Sequence, residues 1–98
     1  MCRIFAGQDP ERYAFETRSV RISGYPTSVR LEARFWRIIE EIAHKQGMTV
    51  GKFLSQLHDE ALEIHGEVGN FASLLRCSCL VYLEQGLNSA GQPHRAAS

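Results

Sequence analysis

Hydrophobic and polar residues alternate one by one along residues 19–23 and again along residues 27–32. Successive side chains of a β-strand point to opposite faces, so this alternation predicts two short strands, each with one apolar face. Between them, the run Gly24-Tyr25-Pro26 contains residue types that favour a turn. The pattern therefore predicts a strand, a turn and a second strand.

The two predicted strands share a four-residue motif. Ser-Val-Arg-Ile at residues 19–22 returns as Ser-Val-Arg-Leu at residues 28–31. A repeat this short is compatible with duplication and with chance, and both explanations stay open. Under either explanation, each strand directs an arginine, Arg21 or Arg30, away from its apolar face.

From Ala33 onward the apolar residues recur at spacings of three and four, which predicts helices. Gly47 ends the first helix as a C-terminal cap, and Thr49 is the N-cap of a second helix that runs to about residue 64. A third helix follows a cap at Asn70 and runs to about residue 85, where a glycine stops it. This third helix is apolar around most of its circumference, which predicts that it is buried or lies in an interface.

The sequence divides into three parts. Residues 1–17 form an N-terminal extension in which only a short strand at residues 2–5 is predicted, residues 18–85 form the folded domain, and residues 86–98 form a disordered tail. A chain of 98 residues with 44% apolar and 22% charged residues is expected to fold around a core. Because so short a chain buries only a modest share of its surface, oligomerisation is expected to add stability.

Charge is distributed unevenly, although the formal net charge is zero. Residues 18–37 contain five arginines and one glutamate, whereas residues 39–70 contain six acidic residues and two lysines. A neutral total argues against a nucleic-acid partner. The uneven distribution nevertheless predicts one basic face, which a dimer would double.

The sequence predicts a cytoplasmic protein without a membrane partner. No apolar run reaches the roughly 20 residues of a membrane span. The N-terminus lacks the long apolar stretch of a signal peptide. Three cysteines, an odd number without the spacing of a disulfide framework, suit a reducing compartment.

No motif predicts catalysis, a cofactor or a metal. A phosphate-binding glycine loop and a Gly-x-Ser-x-Gly motif are both absent from the sequence. Cys77 and Cys79 are two residues apart in a predicted helix, so their thiols point about 200° apart and do not suit a shared ion. Both thiols are expected to be buried and inert. Trp36, beside Phe35, is expected to pack in the core or a dimer interface rather than stack on bases.

One stretch of the chain, about residues 27–64, resembles the ribbon-helix-helix repressors of the Arc and MetJ kind. Its strand ends in Ser-Val-Arg-Leu at 28–31, and a helix of three to four turns follows. The turn Gln-Gly-Met-Thr at 46–49 then leads into a helix that opens with Val-Gly-Lys at 50–52. Within that superfamily the chain is similar to small uncharacterised bacterial proteins with a doubled strand, the Phe35-Trp36 pair and a helix over residues 70–82.

The resemblance implies a mainly α-helical α+β fold with a short β-ribbon, an extra N-terminal strand and a third C-terminal helix. It also implies an obligate homodimer, with higher oligomers left open, in which the strand at residues 27–31 pairs antiparallel with its copy. Thr27, Val29 and Leu31 would then face the helices, and Ser28 and Arg30 would face a major groove about 12 Å wide. The upstream strand is an addition that could block or widen this ribbon.

The same resemblance implies two kinds of DNA contact, to bases from the strand and to phosphates from the helix starts. Arg30 is suited to a bidentate contact with guanine O6 and N7, whereas Glu32 would repel phosphate. For each basic residue, a solvated surface charge is the alternative. The base-facing residues are Ser28 and Arg30, the phosphate-contacting residues are Arg34, Gly51 and Lys52, and additional DNA contacts come from Arg18 and Arg21.

Two functions are consistent with this interpretation. The first is a sequence-specific DNA-binding protein, a transcriptional regulator that inserts a dimeric β-ribbon in the major groove. The alternative is a protein-interaction module, such as an antitoxin-like partner or an assembly subunit, indicated by the apolar third helix and the zero net charge. Neither function is that of an enzyme.

Overall fold

The fold is a β-hairpin packed on three longer helices and preceded by two short ones. The computed structural model describes residues 2–91, with side-chain environments for residues 2–86. The elements are α1 (Cys2–Ala6), α2 (Pro10–Tyr13), β1 (Phe15–Ile22), β2 (Tyr25–Glu32), α3 (Ala33–Lys45), α4 (Val50–His65) and α5 (Phe71–Gly91). This order confirms the predicted mainly helical α+β fold with an extra N-terminal strand and a third C-terminal helix.

Strands β1 and β2 form an antiparallel hairpin closed by a two-residue turn. Ile22 pairs with Tyr25, and the turn residues Ser23 and Gly24 have φ angles of 52° and 86°. Positive φ at both positions is the requirement of a type I′ turn, whose twist matches that of the strands it joins. The predicted turn at residues 24–26 is therefore misplaced, because Pro26 is already a strand residue.

Helix α3 ends, and helices α4 and α5 begin, at the predicted capping residues. Gly47 has a φ of 68°, and α3 ends just before it. The Thr49 hydroxyl accepts a hydrogen bond from the Lys52 backbone N–H at 3.1 Å, and the Asn70 side chain accepts one from the Ser73 N–H at 3.1 Å. These bonds satisfy N–H groups that the first turn of a helix leaves free, which fixes where α4 and α5 begin.

The core lies between the inner face of the hairpin and helices α3, α4 and α5. Val29 and Leu31 are buried and Thr27 is half-buried, which confirms the predicted inner face of β2. Trp36 is fully buried, and its Nε1 donates a hydrogen bond to the Glu16 carbonyl at 2.8 Å, so it packs in the core as predicted. The other buried apolar residues are Ile22, Ile39, Ile42, Ala43, Leu54, Leu75 and Cys79.

Both end regions differ from the sequence prediction. Residues 2–5, predicted as a strand, lie in helix α1 instead. A four-residue strand needs a neighbour for its backbone N–H and C=O groups, whereas a helical turn can satisfy them locally. At the other end, α5 continues through Gly86 to Gly91, because a glycine costs a helix only about 1 kcal/mol. Of the predicted tail, residues 92–98 lie outside the described residues.

Helix α5 is buried along one face only. Leu75 and Cys79 are fully buried, whereas Leu80, Val81 and Leu83 are 51%, 48% and 43% exposed. Within one chain, the apolar circumference of this helix thus has one packed side and one open side. Within residues 2–91, no helix is long and apolar enough to cross a membrane.

Candidate nucleic-acid interface

Strand β1 occupies one edge of strand β2 within the same chain. The pairing is centred on Ser19 and Ser28. The predicted pairing of residues 27–31 with a second copy is therefore replaced, on this edge, by pairing with β1. The β2 strand of a second copy could pair only with the opposite edge. Ile22 and Tyr25 flank the two-residue turn, and such a pair exchanges both of its backbone hydrogen bonds. The next residue of the strand directs its backbone groups away from the partner strand, so Pro26 faces the opposite edge of β2. Pro26 has no N–H to offer there.

The side chains on the outer face of the hairpin are polar or basic and exposed to solvent. They share one face because they stand directly opposite each other or two residues apart along a strand. The set comprises Thr17, Ser19 and Arg21 from β1, and Pro26, Ser28 and Arg30 from β2. We call this set the ribbon face. It includes both predicted base-facing residues. The same alternation continues to Phe15 and the half-buried Glu32, the pair furthest from the turn.

The Arg30 guanidinium is held by the start of β1. Its Cζ lies 4.3 Å from the centroid of the Phe15 ring, which is the distance of a cation–π contact. Arg30 forms no salt bridge with any described residue, so no carboxylate engages its N–H groups. Phe15 therefore holds the guanidinium by its ring and occupies none of the N–H groups as a hydrogen-bond acceptor, so these can donate to a ligand.

Arg21 is the second free arginine of the ribbon face. Its Nη1 donates a hydrogen bond to the Gly24 carbonyl at 3.0 Å, which ties the side chain to the hairpin turn. Arg21 is exposed and, within the part of the chain that the structure describes, has no salt-bridge partner. Both strands thus present an arginine outward, as the repeated motif predicts.

Arg18, predicted as an additional DNA contact, lies on the inner face of the hairpin instead. Its Nε is 2.6 Å from a Glu16 carboxylate oxygen, its Nη2 is 2.8 Å from Glu40, and its Cζ is 4.6 Å from the Trp36 ring centroid. The hydrogen bond from Arg18 lowers the pKa of Glu40 below its ordinary value. Arg37 binds the same two carboxylates, so the two arginines together balance them on the helix side. Arg18 thus does not share the ribbon face with the other predicted DNA contacts of the hairpin.

Glu32, which was expected to repel phosphate, is paired within the chain. The carboxylate is half-buried, and its Oε1 accepts a hydrogen bond from the Arg76 Nε of α5 at 2.9 Å. Burial acts to raise the pKa of Glu32, but hydrogen bonds from its own backbone N–H and from Arg76 together lower it below the ordinary value. Glu32 is therefore charged, and Arg76 balances its charge beside the ribbon face.

The first turns of α4 lie beside the hairpin turn. The Ser55 hydroxyl oxygen accepts a hydrogen bond from the Ser23 backbone N–H at 2.9 Å, and the Ser23 hydroxyl donates to Asp59 at 2.5 Å. Lys52 is exposed and lies one helical turn before Ser55, on the same side of α4. The free N–H groups near Gly51 and the Lys52 ammonium thus lie toward the turn end of the ribbon face, where an anion is favoured.

Arg34 lies at the opposite end of the hairpin, directly after β2. It is exposed and lines a surface cleft of about 380 Å³ between α2 and α3. The same cleft is lined by both acidic and basic side chains, those of Asp9, Glu11, Glu41, Arg12 and Arg37. Lys52 and Arg34 therefore flank the two ends of the hairpin, in different electrostatic surroundings.

The two cysteines of α5 have different environments. Cys79 is buried, and burial raises the pKa of its thiol to about 11. Cys77 is exposed, so the expectation that both thiols are buried is wrong for Cys77. Residues two apart on a helix lie on nearly opposite sides. Across residues 2–91, no cluster of three His, Cys, Asp or Glu side chains is arranged to hold a metal ion.

A two-stranded antiparallel ribbon followed by two capped helices defines the ribbon-helix-helix class. A family model described as a ribbon-helix-helix domain matches residues 15–83, and the chain belongs to that family. This family has a DNA-binding, non-enzymatic type of fold. The resemblance seen in the sequence is thereby confirmed.

A solved structure of the same fold is similar over most of the chain. It is an uncharacterized protein from Bordetella pertussis Tohama I, which is 44% identical in sequence. The match covers 93% of this chain and 71% of that chain, with a TM-score of 0.83. No curated protein matches this chain.

Sequence reasoning missed two residues of the interface and gave a third a secondary role. Ser19 and Phe15 were not among the predicted site residues, and Arg21 was only an additional contact. The signal that could have found Ser19 and Arg21 was the repeated motif, because it gives both residues the places in β1 that Ser28 and Arg30 have in β2. No sequence pattern indicated the Phe15 contact.

Proposed function

We propose that this protein is a sequence-specific DNA-binding protein, a transcriptional regulator that places its ribbon face in the major groove of DNA in the bacterial cytoplasm. The observation that carries the proposal is the charge of that face. Arg18, Arg37 and Arg76 are paired with glutamates, whereas Arg21 and Arg30 are exposed and have no carboxylate partner among the described residues. Unpaired arginines on a two-stranded ribbon suit the reading of guanine.

Ser28 and Arg30 face the bases in this proposal. Two strands stand about 5 Å apart, so a hairpin with its side chains fits a groove about 12 Å wide. The Arg30 guanidinium can donate two N–H groups to guanine O6 and N7. The Phe15 ring orders the guanidinium before DNA arrives, which reduces the entropy lost on binding.

Arg34, Gly51 and Lys52 contact phosphate in this proposal. The first turn of α4 offers backbone N–H groups near Gly51, and Lys52 adds a positive charge beside them. Arg34 lies at the other end of the hairpin, so the phosphate contacts bracket the base contacts. Contacts of this kind fix the orientation of a protein on the duplex without reading its sequence.

A binding titration tests the proposal. The full chain is mixed with fluorescent random-sequence and genomic duplexes at ~50 mM salt, where phosphate contacts are strong. We expect binding to both, and Arg30→Ala should reduce discrimination among genomic fragments. Arg12→Ala is the matched control, since Arg12 is an exposed arginine of α2 outside the ribbon face. If the wild-type chain binds neither duplex, the DNA-binding proposal is rejected.

We also propose that two copies form a homodimer through the open side of α5. Leu80 and Leu83 are three residues apart, so they lie on one side of the helix, and they are about half-exposed there. A chain this short gains stability by burying more apolar surface in a dimer. Pro26 weakens the alternative of joining two β2 edges, because it offers no N–H at the open edge. A dimer through α5 leaves the ribbon face of each copy free.

Light scattering after size exclusion tests the dimer. We expect twice the 11.1 kDa of one chain, and a shift to the single-chain mass in the double variant Leu80→Gln and Leu83→Gln. A wild-type monomer at tens of micromolar would reject the homodimer, and a larger mass would indicate a higher oligomer. A dimer that binds no duplex would favour the alternative function, a protein-interaction module.

A further inference from the structure

The hairpin has an internal two-fold symmetry in its strand pairing. Ser19 pairs with Ser28, so a 180° rotation about an axis through this pair, perpendicular to the ribbon, exchanges β1 with β2. The rotation carries each residue of β1 to the position nine residues later, and it carries the registered pairs onto one another. The symmetry belongs to one chain and needs no second copy.

The repeated motif obeys the same rotation. It carries Ser-Val-Arg-Ile at 19–22 onto Ser-Val-Arg-Leu at 28–31, so Arg21 has in β1 the place that Arg30 has in β2. The contacts that hold the two guanidinium groups also correspond. Arg21 is bound by the carbonyl of Gly24, Arg30 is bound by the ring of Phe15, and the rotation exchanges these two partner positions. The ribbon face is therefore nearly symmetric in its side chains as well as its backbone.

The hairpin of one chain is the unit whose width fits a major groove. Joining the β2 strands of two copies would make a four-stranded sheet, with about 14 Å between its outer backbones before side chains are added. That sheet is wider than the groove of about 12 Å, whereas two strands fit. The missing N–H of Pro26 also disfavours that joining.

We propose that a single chain reads an inverted repeat, with Arg21 and Arg30 as equivalent guanine-reading residues. This inference rests on the proposed DNA-binding function and adds its target class. Arg21 pairs with Pro26, which lies four residues before Arg30, so the two arginines are about 13 Å apart along the ribbon. Stacked base pairs are about 3.4 Å apart, so the two guanines, one on each DNA strand, lie about four base pairs apart.

Selection from a pool of duplexes with a randomised core tests the inference with the full chain. The enriched sequence should be an inverted repeat with guanines about four base pairs apart. In the double variant Leu80→Gln and Leu83→Gln, which removes the proposed α5 dimer, native mass spectrometry at saturation should show one chain per duplex. Arg21→Ala and Arg30→Ala should weaken binding to the enriched duplex equally, by a factor in the range of roughly 5 to 150. A duplex in which one of the two guanines is replaced should bind either alanine variant with nearly the same affinity as the enriched duplex does. The one arginine that each variant keeps can contact the one guanine that remains.

Matched variants separate sequence reading from charge and folding. Arg12→Ala removes one positive charge outside the ribbon face and should leave the selected sequence unchanged. Arg21→Lys and Arg30→Lys keep the charge but lose the guanidinium fork, so both should lose sequence preference as the alanine variants do. Circular dichroism of each variant should match that of the wild type.

The failure of this inference is distinguishable from the failure of the proposed function. If only Arg30→Ala relaxes the sequence preference and two chains of the Leu80→Gln, Leu83→Gln variant bind each duplex, then two copies build the symmetric surface. DNA binding stands in that case, and the single-chain reading is overturned. If the wild-type chain enriches no duplex, the proposed function itself is overturned.

Discussion

Lys52, at the start of α4, provides a quantitative test of the proposed phosphate contacts. Lys52→Ala removes an exposed cation but keeps the Thr49 cap, because that hydrogen bond uses the Lys52 backbone N–H. Each neutralised phosphate contributes about −0.9 to the slope of log affinity against log salt. Relative to 1 M salt, where this contribution vanishes, losing one contact should weaken binding about 15-fold at 50 mM and about 4-fold at 200 mM.

Fluorescence anisotropy titrations over that salt range measure the slope on a random duplex and on the enriched duplex. The loss should be equal on both, because a phosphate contact carries no sequence information. Lys45→Ala is the matched control, since Lys45 is an exposed lysine whose Nζ lies 5.4 Å from the Tyr82 ring on the α5 side of α3. The reasoning is refuted if Lys52→Ala and Lys45→Ala change the slope equally, or if Lys52→Ala weakens only the enriched duplex.

Stability and thiol chemistry test other parts of the structure. Gly24→Ala puts a Cβ at a φ of 86° and should lower the free energy of unfolding in urea by about 1 kcal/mol. Gly69→Ala, with open space and no positive φ, is its control, and equal effects would contradict the turn. Leu31→Ala removes a fully buried side chain and should lower the free energy of unfolding by about 3 kcal/mol; a loss below about 1 kcal/mol would contradict that burial. Iodoacetamide at about pH 8 should modify exposed Cys77 in the folded protein, as peptide mass spectrometry can show. Cys79, with its pKa raised to about 11 by burial, should react only after unfolding, and earlier modification would count against the α5 packing.

The helical part of the fold could be predicted because it depends on local chemistry. Thr49 and Asn70 cap helices through hydrogen bonds to residues three positions later, and Gly47 ends α3 by its own backbone conformation. Each of these effects acts within a few residues of the chain. Apolar spacing then identified which helix faces are buried, as Ile39 and Leu54 illustrate.

The partner of β2 could not be predicted, because an unpaired strand edge accepts a strand from its own chain or from a copy equally well. The deciding feature is the tight turn, in which Ser23 and Gly24 both adopt positive φ. Ser-Gly is less typical of a type I′ turn than Asn-Gly or Asp-Gly, so the sequence predicted a turn between the strands but not its position or the pairing that it imposes. Pro26 led to the prediction of a turn at residues 24–26, although this proline lies within β2.

The inward position of Arg18 was only partly visible in the sequence. Extending the alternation of Val20 and Ile22 two residues upstream places Arg18 on the inner face. What the alternation could not supply is the partner that makes a charged residue stable there. Glu40, which binds Arg18 at 2.8 Å, comes from a helix 22 residues later, and such long-range pairs leave no periodic signal.

The separation between the ribbon face and the exposed residues of α5 has a consequence for DNA recognition. One hairpin offers two base-reading arginines and few phosphate contacts, so a single chain should bind DNA weakly. A dimer joined through Leu80 and Leu83 would carry two hairpins, and its second binding event would occur at an effective concentration of about millimolar. Such linkage raises affinity by roughly 10²- to 10⁴-fold, but only where two target sites have the matching separation. The ribbon would then determine which bases are recognised. The α5 interface would determine the spacing between the two target sites, because it sets the distance between the two hairpins.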